Sequence, residues 1–166
     1  MIFVSVGTHE DPFDRMLEAV FALGLDEELV IQHGPSAVRS DGATATEYLS
    51  FDDVVRYIRE ARAVVMHAGV GSVMISLANG KRPIVMARRE RFGEHVDDHQ
   101  VELARRLEAN GLVTVVDDAP SLAAALERAP EPPGRIEGVP WLGDDLHAYL
   151  AEQLGAPMAA TRLATS

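Results

Sequence analysis

The chain has 166 residues, the length of one domain with a full hydrophobic core. Its 26 acidic and 15 basic residues give a formal net charge of −11, which argues against nucleic-acid binding because that function needs a basic surface. The absence of cysteine excludes disulfides, thiolate catalysis and cysteine-ligated metals. With no basic, apolar leader and no uninterrupted apolar span, we expect a cytoplasmic protein without direct membrane insertion, which a partner could recruit to a membrane.

Short apolar runs alternate with helical segments along the first 129 residues. The runs are rich in valine and isoleucine and apolar on both faces, which is typical of central strands in a parallel sheet. They are Ile2 to Val6, Leu29 to Ile31, Ala63 to Met66, Pro83 to Met86 and Leu112 to Val116, with a weaker sixth run at Thr46 to Leu49. This alternation predicts an α/β fold built on a single Rossmann-like, doubly wound parallel sheet.

Capping residues and helical spacing predict four of the intervening helices. They cover residues 11–22 from Asp11-Pro12, a segment from the capping box Ser50 to Asp53 through Ile58, residues 96–109 ending at Asn110-Gly111, and residues 119–128. After residue 129 the composition changes. We assign 1–129 to the sheet domain, 130–140 to a Pro/Gly linker, 141–155 to a terminal amphipathic helix and 156–166 to a disordered tail.

The loop His67-Ala68-Gly69-Val70-Gly71-Ser72 is the most informative candidate site. It follows a predicted strand and opens a helix, and ligands of open parallel sheets bind beyond the carboxyl ends of the strands. Its glycines would let the backbone approach a ligand, and unpaired N–H groups at the helix start favour a phosphate, with the Ser72 hydroxyl as a further donor. A tight turn that needs small residues only for packing explains the same glycines equally well.

Two further loops carry polar side chains. His95 and His99 have the i, i+4 spacing of metal ligands, but no third ligand is identifiable, so we expect no metal and favour a polar patch for hydroxyl-rich ligands. Asp97 with its neighbour could instead simply cap the helix. In the first loop, His9 and Glu10 are candidate catalytic residues, although a lone loop histidine is more often a hydrogen-bonded structural residue.

Four segments in the same order resemble one known family. They are residues 1–15, His67 to Ser72, Gly80-Lys81-Arg82-Pro83, and Gly93 to Gln100. Together they resemble the small glycosyltransferase subunits of the Alg13/PssE/EpsF type, which are similar to the C-terminal, donor-binding domain of MurG-like family 28 enzymes. The resemblance covers residues 1 to about 115. It implies one half of a two-domain GT-B hexosyltransferase, with residues 1–129 binding a nucleotide-sugar, typically a UDP-sugar, and with no cofactor.

The resemblance also assigns roles to residues. The expected donor site has three regions. The diphosphate region is formed by Gly7, Thr8, His67, Gly69, Gly71 and Ser72. The base region is formed by Phe51, and the sugar region by Asp97, His99 and Gln100. One position departs from the family: relatives usually carry Glu or Asp, which holds the ribose, where this chain has Ile75. Isoleucine forgoes roughly 1.5–3 kcal/mol of charged hydrogen bonding, so Asn79 or a partner would have to substitute, or nucleotide binding is weaker.

The general base in this architecture usually belongs to the other domain. The resemblance therefore implies a membrane-associated, Alg14/PssD-like partner in exopolysaccharide synthesis, a lipid-linked or polysaccharide acceptor, and a chain that is inactive alone. The apolar face of the terminal helix, which includes Trp141, is a candidate docking surface, or it packs back on its own sheet. The alternative function is a non-catalytic nucleotide-sugar-binding module that regulates or scaffolds a partner, and Ile75 favours it.

Overall fold

The structure is a computed structural model of the chain that describes residues 1–38 and 42–128. Within these ranges it contains six strands and five α-helices in the order β1 (Ile2–Ser5), α1 (Asp14–Phe21), β2 (Leu29–Gln32), β3 (Thr44–Thr46), α2 (Phe51–Glu60), β4 (Ala63–His67), α3 (Val70–Ala78), β5 (Ile84–Met86), α4 (His99–Ala109), β6 (Thr114–Val115) and α5 (Ala119–Glu127). The predicted linker, terminal helix, tail and docking face lie outside the described residues.

The strands form one sheet in the order β3-β2-β1-β4-β5-β6, and every neighbouring pair is parallel. The chain moves to one side of β1 for β2 and β3 and then returns to the other side for β4. This is the Rossmann strand order, whose switch point lies between β1 and β4. The loops that follow these two strands are therefore adjacent at the carboxyl edge of the sheet.

Helices cover both faces of the sheet, which is why β1 is buried along its whole length. On one face, Ile2 and Val4 belong to the core that includes residues of α1 and α5, and these two helices contact each other. On the other face, Phe3 stacks on Tyr57 of α2 with ring centroids 5.7 Å apart, and α2 contacts α3. The predicted α/β, doubly wound sheet is confirmed. In the described ranges, no helix has the length and apolar character needed to span a bilayer.

Some predicted boundaries were wrong, two of them where hydrogen bonds from other parts of the chain hold the backbone. The sixth strand is Thr44–Thr46, since the next carbonyl, that of Glu47, accepts from the Gly34 N–H in a turn. Helix α1 begins at Asp14, not Asp11, because an arginine guanidinium holds the Asp11 carbonyl in the preceding loop. Helix α4 begins at His99, not residue 96.

Candidate functional site

The imidazole of His67 lies between two glycines at the switch point. A Cβ atom on Gly7, after β1, would lie 2.5 Å from Cε1 of the ring, and one on Gly69, after β4, would lie 2.3 Å from Nε2. Both distances are far shorter than any van der Waals contact. The packing of His67 therefore accounts for glycine at both positions, and a ligand role for Gly69 stays a prediction.

Gly7 is also fixed by its backbone. Its φ of +86° lies in the region that favours glycine, its N–H donates to Ser5 Oγ at 3.3 Å, and its carbonyl accepts from Gln32 Nε2 at 3.1 Å. Because its N–H is already bonded inside the protein, Gly7 shapes the loop and has no free N–H for a ligand. Thr8, the next residue, is exposed.

The first turn of α3 has a different character. Its N-cap residue is Gly69, so no side chain caps the turn, and no acidic residue lies in it. The backbone N–H groups of Val70, Gly71 and Ser72 precede the first helical hydrogen bond, which runs from the Val73 N–H to the Gly69 carbonyl. A Cβ atom on Gly71 would meet nothing within 4 Å. This turn can therefore accept an anion, and nothing in the described protein requires glycine at position 71.

His67 is neutral at pH 7. Burial first, and the nearby Arg88 guanidinium second, lower the pKa of His67 from 6.5 to about 4. The Ser5 carbonyl opposes this shift, but the buried Nδ1 atom has no hydrogen-bond partner of good geometry among the described residues. A neutral imidazole carries one N–H donor, and a ligand at this edge could use it.

The other predicted histidine of this edge, His9, packs against His95 with ring centroids 5.0 Å apart. Its Nδ1 accepts a hydrogen bond from the Asp11 N–H at 3.1 Å. Burial, followed by the charges of Arg88 and His95, lowers the pKa of His9. His9 is thus a hydrogen-bonded loop residue, while its neighbour Glu10 is exposed.

The predicted sugar region is a turn that precedes α4. The Asp97 carboxylate accepts from the His99 N–H at 3.0 Å and lies 2.8 Å from His99 Nδ1. The His99 N–H lowers the pKa of Asp97. Since His95 precedes α4, His95 and His99 do not share a helical face despite their i, i+4 spacing. In residues 1–38 and 42–128, no group of three or more His, Asp or Glu side chains could hold a metal ion.

The sequence analysis missed a charged network behind these loops. Arg15 binds the Glu94 carboxylate in a bidentate pair, at 2.9 Å from Nε and 2.8 Å from Nη2, and Glu94 also accepts from the Arg89 N–H at 3.0 Å. The side chain of Arg88 is fully buried, and its backbone N–H lies 3.4 Å from Gln100 Oε1. An arginine directly after the apolar run of β5 was the available signal.

Two predicted positions lie apart from this group. Phe51 is 66% exposed at the start of α2 and lines a surface groove with other α2 side chains. Asn79 ends α3, where its amide donates to the Ile75 carbonyl at 2.8 Å and its oxygen accepts from Arg59 at 2.7 Å. Asn79 is therefore at the opposite end of α3 from the uncapped turn, with its amide nitrogen and oxygen both bonded inside the protein.

Comparison with known proteins matches residues 1–136 to the family described as "Glycosyltransferase family 28 C-terminal domain". Two curated relatives are named "UDP-N-acetylglucosamine transferase subunit ALG13". The one from Mus musculus is 33% identical over 123 residues, 66% of this chain and 10% of the relative. The one from Homo sapiens is 30% identical over 146 residues, 75% of this chain and 12% of the relative. The chain thus spans only about a tenth of these relatives.

Solved structures show the same fold. CalG4, the calicheamicin glycosyltransferase, matches 99% of this chain and 43% of its own, with a TM-score of 0.60 at 19% identity. The glycosyltransferase of kitacinnamycin matches 93% of this chain and 38% of its own, with a TM-score of 0.59 at 21% identity. The predicted equivalence of this domain to one half of a GT-B glycosyltransferase is confirmed.

Proposed function

The chain belongs to the family of glycosyltransferase family 28 C-terminal domains, which its residues 1–136 match. From this premise we propose that it is the donor-binding subunit of a bipartite glycosyltransferase. The observation that carries the proposal is the uncapped first turn of α3 beside the loop of β1, at the switch point where this fold binds ligands. The donor is a nucleotide-sugar, and the names of the ALG13 relatives favour a UDP-sugar.

The diphosphate of the donor would bind at the first turn of α3. The N–H groups of Gly71 and Ser72 and the partial positive charge of the helix start suit a phosphate oxygen, and the neutral His67 ring borders Gly69 beside them. As the bond between sugar and phosphate breaks, negative charge grows on the leaving diphosphate. Donors already oriented toward that charge stabilise the transition state more than the ground state.

The half of the enzyme that binds the sugar acceptor would come from a second protein. This chain matches 43% of the CalG4 chain, so the other half of such an enzyme has no counterpart in the matched region. We propose an Alg14/PssD-like, membrane-associated partner that supplies the acceptor site and the general base and holds the complex at the membrane. The acceptor is then a lipid-linked or polysaccharide chain, as in exopolysaccharide synthesis. His9 and Glu10 are the candidate catalytic residues of this chain.

A second candidate function rests on Ile75. The position that carries a ribose-binding carboxylate in relatives is apolar here, and the Asn79 amide is bonded to the Ile75 carbonyl and to Arg59. Weaker binding of the ribose favours a nucleotide-sugar-binding module that regulates or scaffolds its partner without catalysis. A chain that binds UDP-sugar but supports no transfer in the presence of its partner would establish this alternative.

Calorimetry with UDP and UDP-sugars tests the proposal. The substitution Gly71→Val fills open space in the first turn of α3, so we expect a folded protein whose affinity for UDP falls by about tenfold or more. The matched control Ala78→Val places the same side chain at an exposed position in the last turn of the same helix and should leave affinity within about twofold. Failure of the unmodified chain to bind any nucleotide-sugar at millimolar concentration would refute the donor site.

Co-purification tests the partner. We expect the chain to co-purify with a membrane protein encoded beside it, and we expect sugar transfer only when both proteins are present. Efficient transfer by the chain alone would refute the bipartite proposal while leaving the donor site intact.

A further inference from the structure

Arg88 ties together the loops on either side of the candidate site. Its Nη2 donates to the Val6 carbonyl at 3.1 Å, and its Nη1 donates to the carbonyls of Asp11, Pro12 and Glu94 at 2.9, 3.2 and 3.1 Å. The first three carbonyls belong to the loop after β1 and the last to the loop after β5. The guanidinium therefore contacts the first loop, although Arg88 itself follows β5.

The charge of Arg88 is buried, and its guanidinium donates its hydrogen bonds to backbone carbonyls. Its side chain is fully buried, its carbon Cζ lies 4.7 Å above the Phe13 ring, and its Nε has no partner among the described residues. The Glu94 carboxylate is bonded instead to Arg15 and to the Arg89 N–H. Arg88 and Glu94 are buried and Arg15 is partly buried, so this group of two guanidiniums and one carboxylate carries a net charge of +1.

This positive charge acts on the residues that form the anion site. The Arg88 guanidinium lowers the pKa of His67, whose ring contacts Gly7 and Gly69, and also lowers the pKa of His9. Gly69 is the N-cap of α3 and borders the His67 ring, so the guanidinium acts on a side chain beside the turn that has the free N–H groups. Being shielded from solvent, this interaction is screened by salt much less than one between surface charges.

Other cations near the carboxyl edge are bound elsewhere. Arg89 pairs with Asp117 at 2.6 Å, Arg15 with Glu94, and Arg91 packs on the Phe92 ring. The chain as a whole carries a charge of −11, which opposes the approach of a diphosphate. A fixed cation behind the site would offset that repulsion locally.

We propose that Arg88 is a positioning residue that supplies a buried counter-charge for the donor's diphosphate, acting through the loop of β1 and the first turn of α3 without touching the ligand. This inference rests on the proposed donor site. It differs from a purely structural role, because lysine at this position keeps the charge but loses the fork of donors, so it preserves diphosphate binding only if Arg88 acts through its charge.

The test is the binding of UDP, UMP and uridine, measured by calorimetry at one salt concentration. In Arg88→Gln we expect UDP affinity to fall by about tenfold or more, UMP affinity by less, and uridine affinity to stay within about twofold. Arg88→Lys keeps the charge, so its ratio of UDP to uridine affinity should stay within about threefold of the unmodified value. The control Arg106→Gln removes an exposed arginine of α4 and should change none of the three affinities.

Equal losses for UDP and uridine in Arg88→Gln, or no loss for UDP, would overturn the counter-charge while leaving the donor site intact. An unmodified chain that binds neither UDP nor UMP would overturn the donor site and this inference with it. If Arg88→Gln does not fold, as judged by circular dichroism, Arg88→Lys carries the test. A ratio of UDP to uridine affinity that falls toward one in this charge-preserving variant contradicts the inference.

Discussion

The turn between β4 and α3 and the loop between β5 and α4 lie at the same edge of the sheet but are built on different principles. The first is short and made of small residues that fit around the His67 ring. The second is longer and is held by charged contacts, with Arg88 and Glu94 bonded to residues more than 70 positions away in sequence. The comparison shows that glycine spacing alone does not distinguish a packing requirement from a ligand site.

Around His67 and the start of α3, glycines of similar appearance have opposite surroundings. Gly7 and Gly69 leave no room for a Cβ atom, whereas Gly71 faces open space. The first two maintain the position of His67, and the third leaves the helix start accessible. Substitutions at these glycines should therefore separate packing around His67 from access to the start of α3.

The largest effect is expected for Gly7→Ala. A Cβ atom would add the strain of a φ of +86° to an overlap with the His67 ring, so the free energy of unfolding should fall by about 3 to 4 kcal/mol. Urea denaturation measures this change. Gly80→Ala is the control, since Gly80 has a φ of +74° but open space, and it should cost about 1 kcal/mol. Equal losses in the two variants would show that contact with His67 contributes nothing.

The next largest effect concerns pH. Because burial holds the pKa of His67 at about 4 in the folded protein, against 6.5 for an ordinary histidine, the unfolded chain takes up the proton first. The stability that neutral His67 contributes is complete above pH 6.5 and is lost as pH falls from 6.5 to about 4, by roughly 3 kcal/mol. Urea denaturation across this range should show a shallower pH dependence in His67→Gln than in the unmodified protein. Parallel curves would contradict the buried neutral ring.

A smaller effect is expected in the charged loop. Glu94→Gln removes the carboxylate that binds Arg15, and the free energy of unfolding should fall by about 2 kcal/mol. Glu102→Gln, which breaks the exposed pair with Arg106, should cost at most about 0.5 kcal/mol. Thermal unfolding compares the two. Similar small losses would mean that the Arg15–Glu94 pair does not hold the loop.

The smallest change in stability is expected for Gly71→Ala. With open space and helical backbone at this position, alanine should leave the free energy of unfolding unchanged or raise it by about 0.5 kcal/mol, while UDP affinity falls. Chemical denaturation and calorimetry on one preparation measure both quantities. Gly69→Ala should instead lower the free energy of unfolding clearly, because its Cβ atom would overlap the His67 ring. A destabilised Gly71→Ala would contradict the division between packing and access.

The sequence could predict the features that depend on local pattern. The apolar runs located the strands of the sheet, and the predicted N-cap at Ser50 was confirmed because its hydroxyl accepts from the Asp53 N–H. Helix starts failed where a distant side chain held the backbone, as Arg88 does at Asp11. The network of Arg15, Glu94 and Arg88 was missed because its members are brought together only by the fold. The motif His67 to Ser72 located the site, but only the coordinates separate Gly69 from Gly71.

The most direct test of the account is a titration of the isotope-labelled chain with UDP, followed by the amide resonances. We expect the N–H signals of Val70, Gly71 and Ser72 to shift on addition of UDP and to shift much less with uridine. Those amides are the donors available at the start of α3. Saturation with UDP that shifts only residues of the α2 groove around Phe51 would contradict the account.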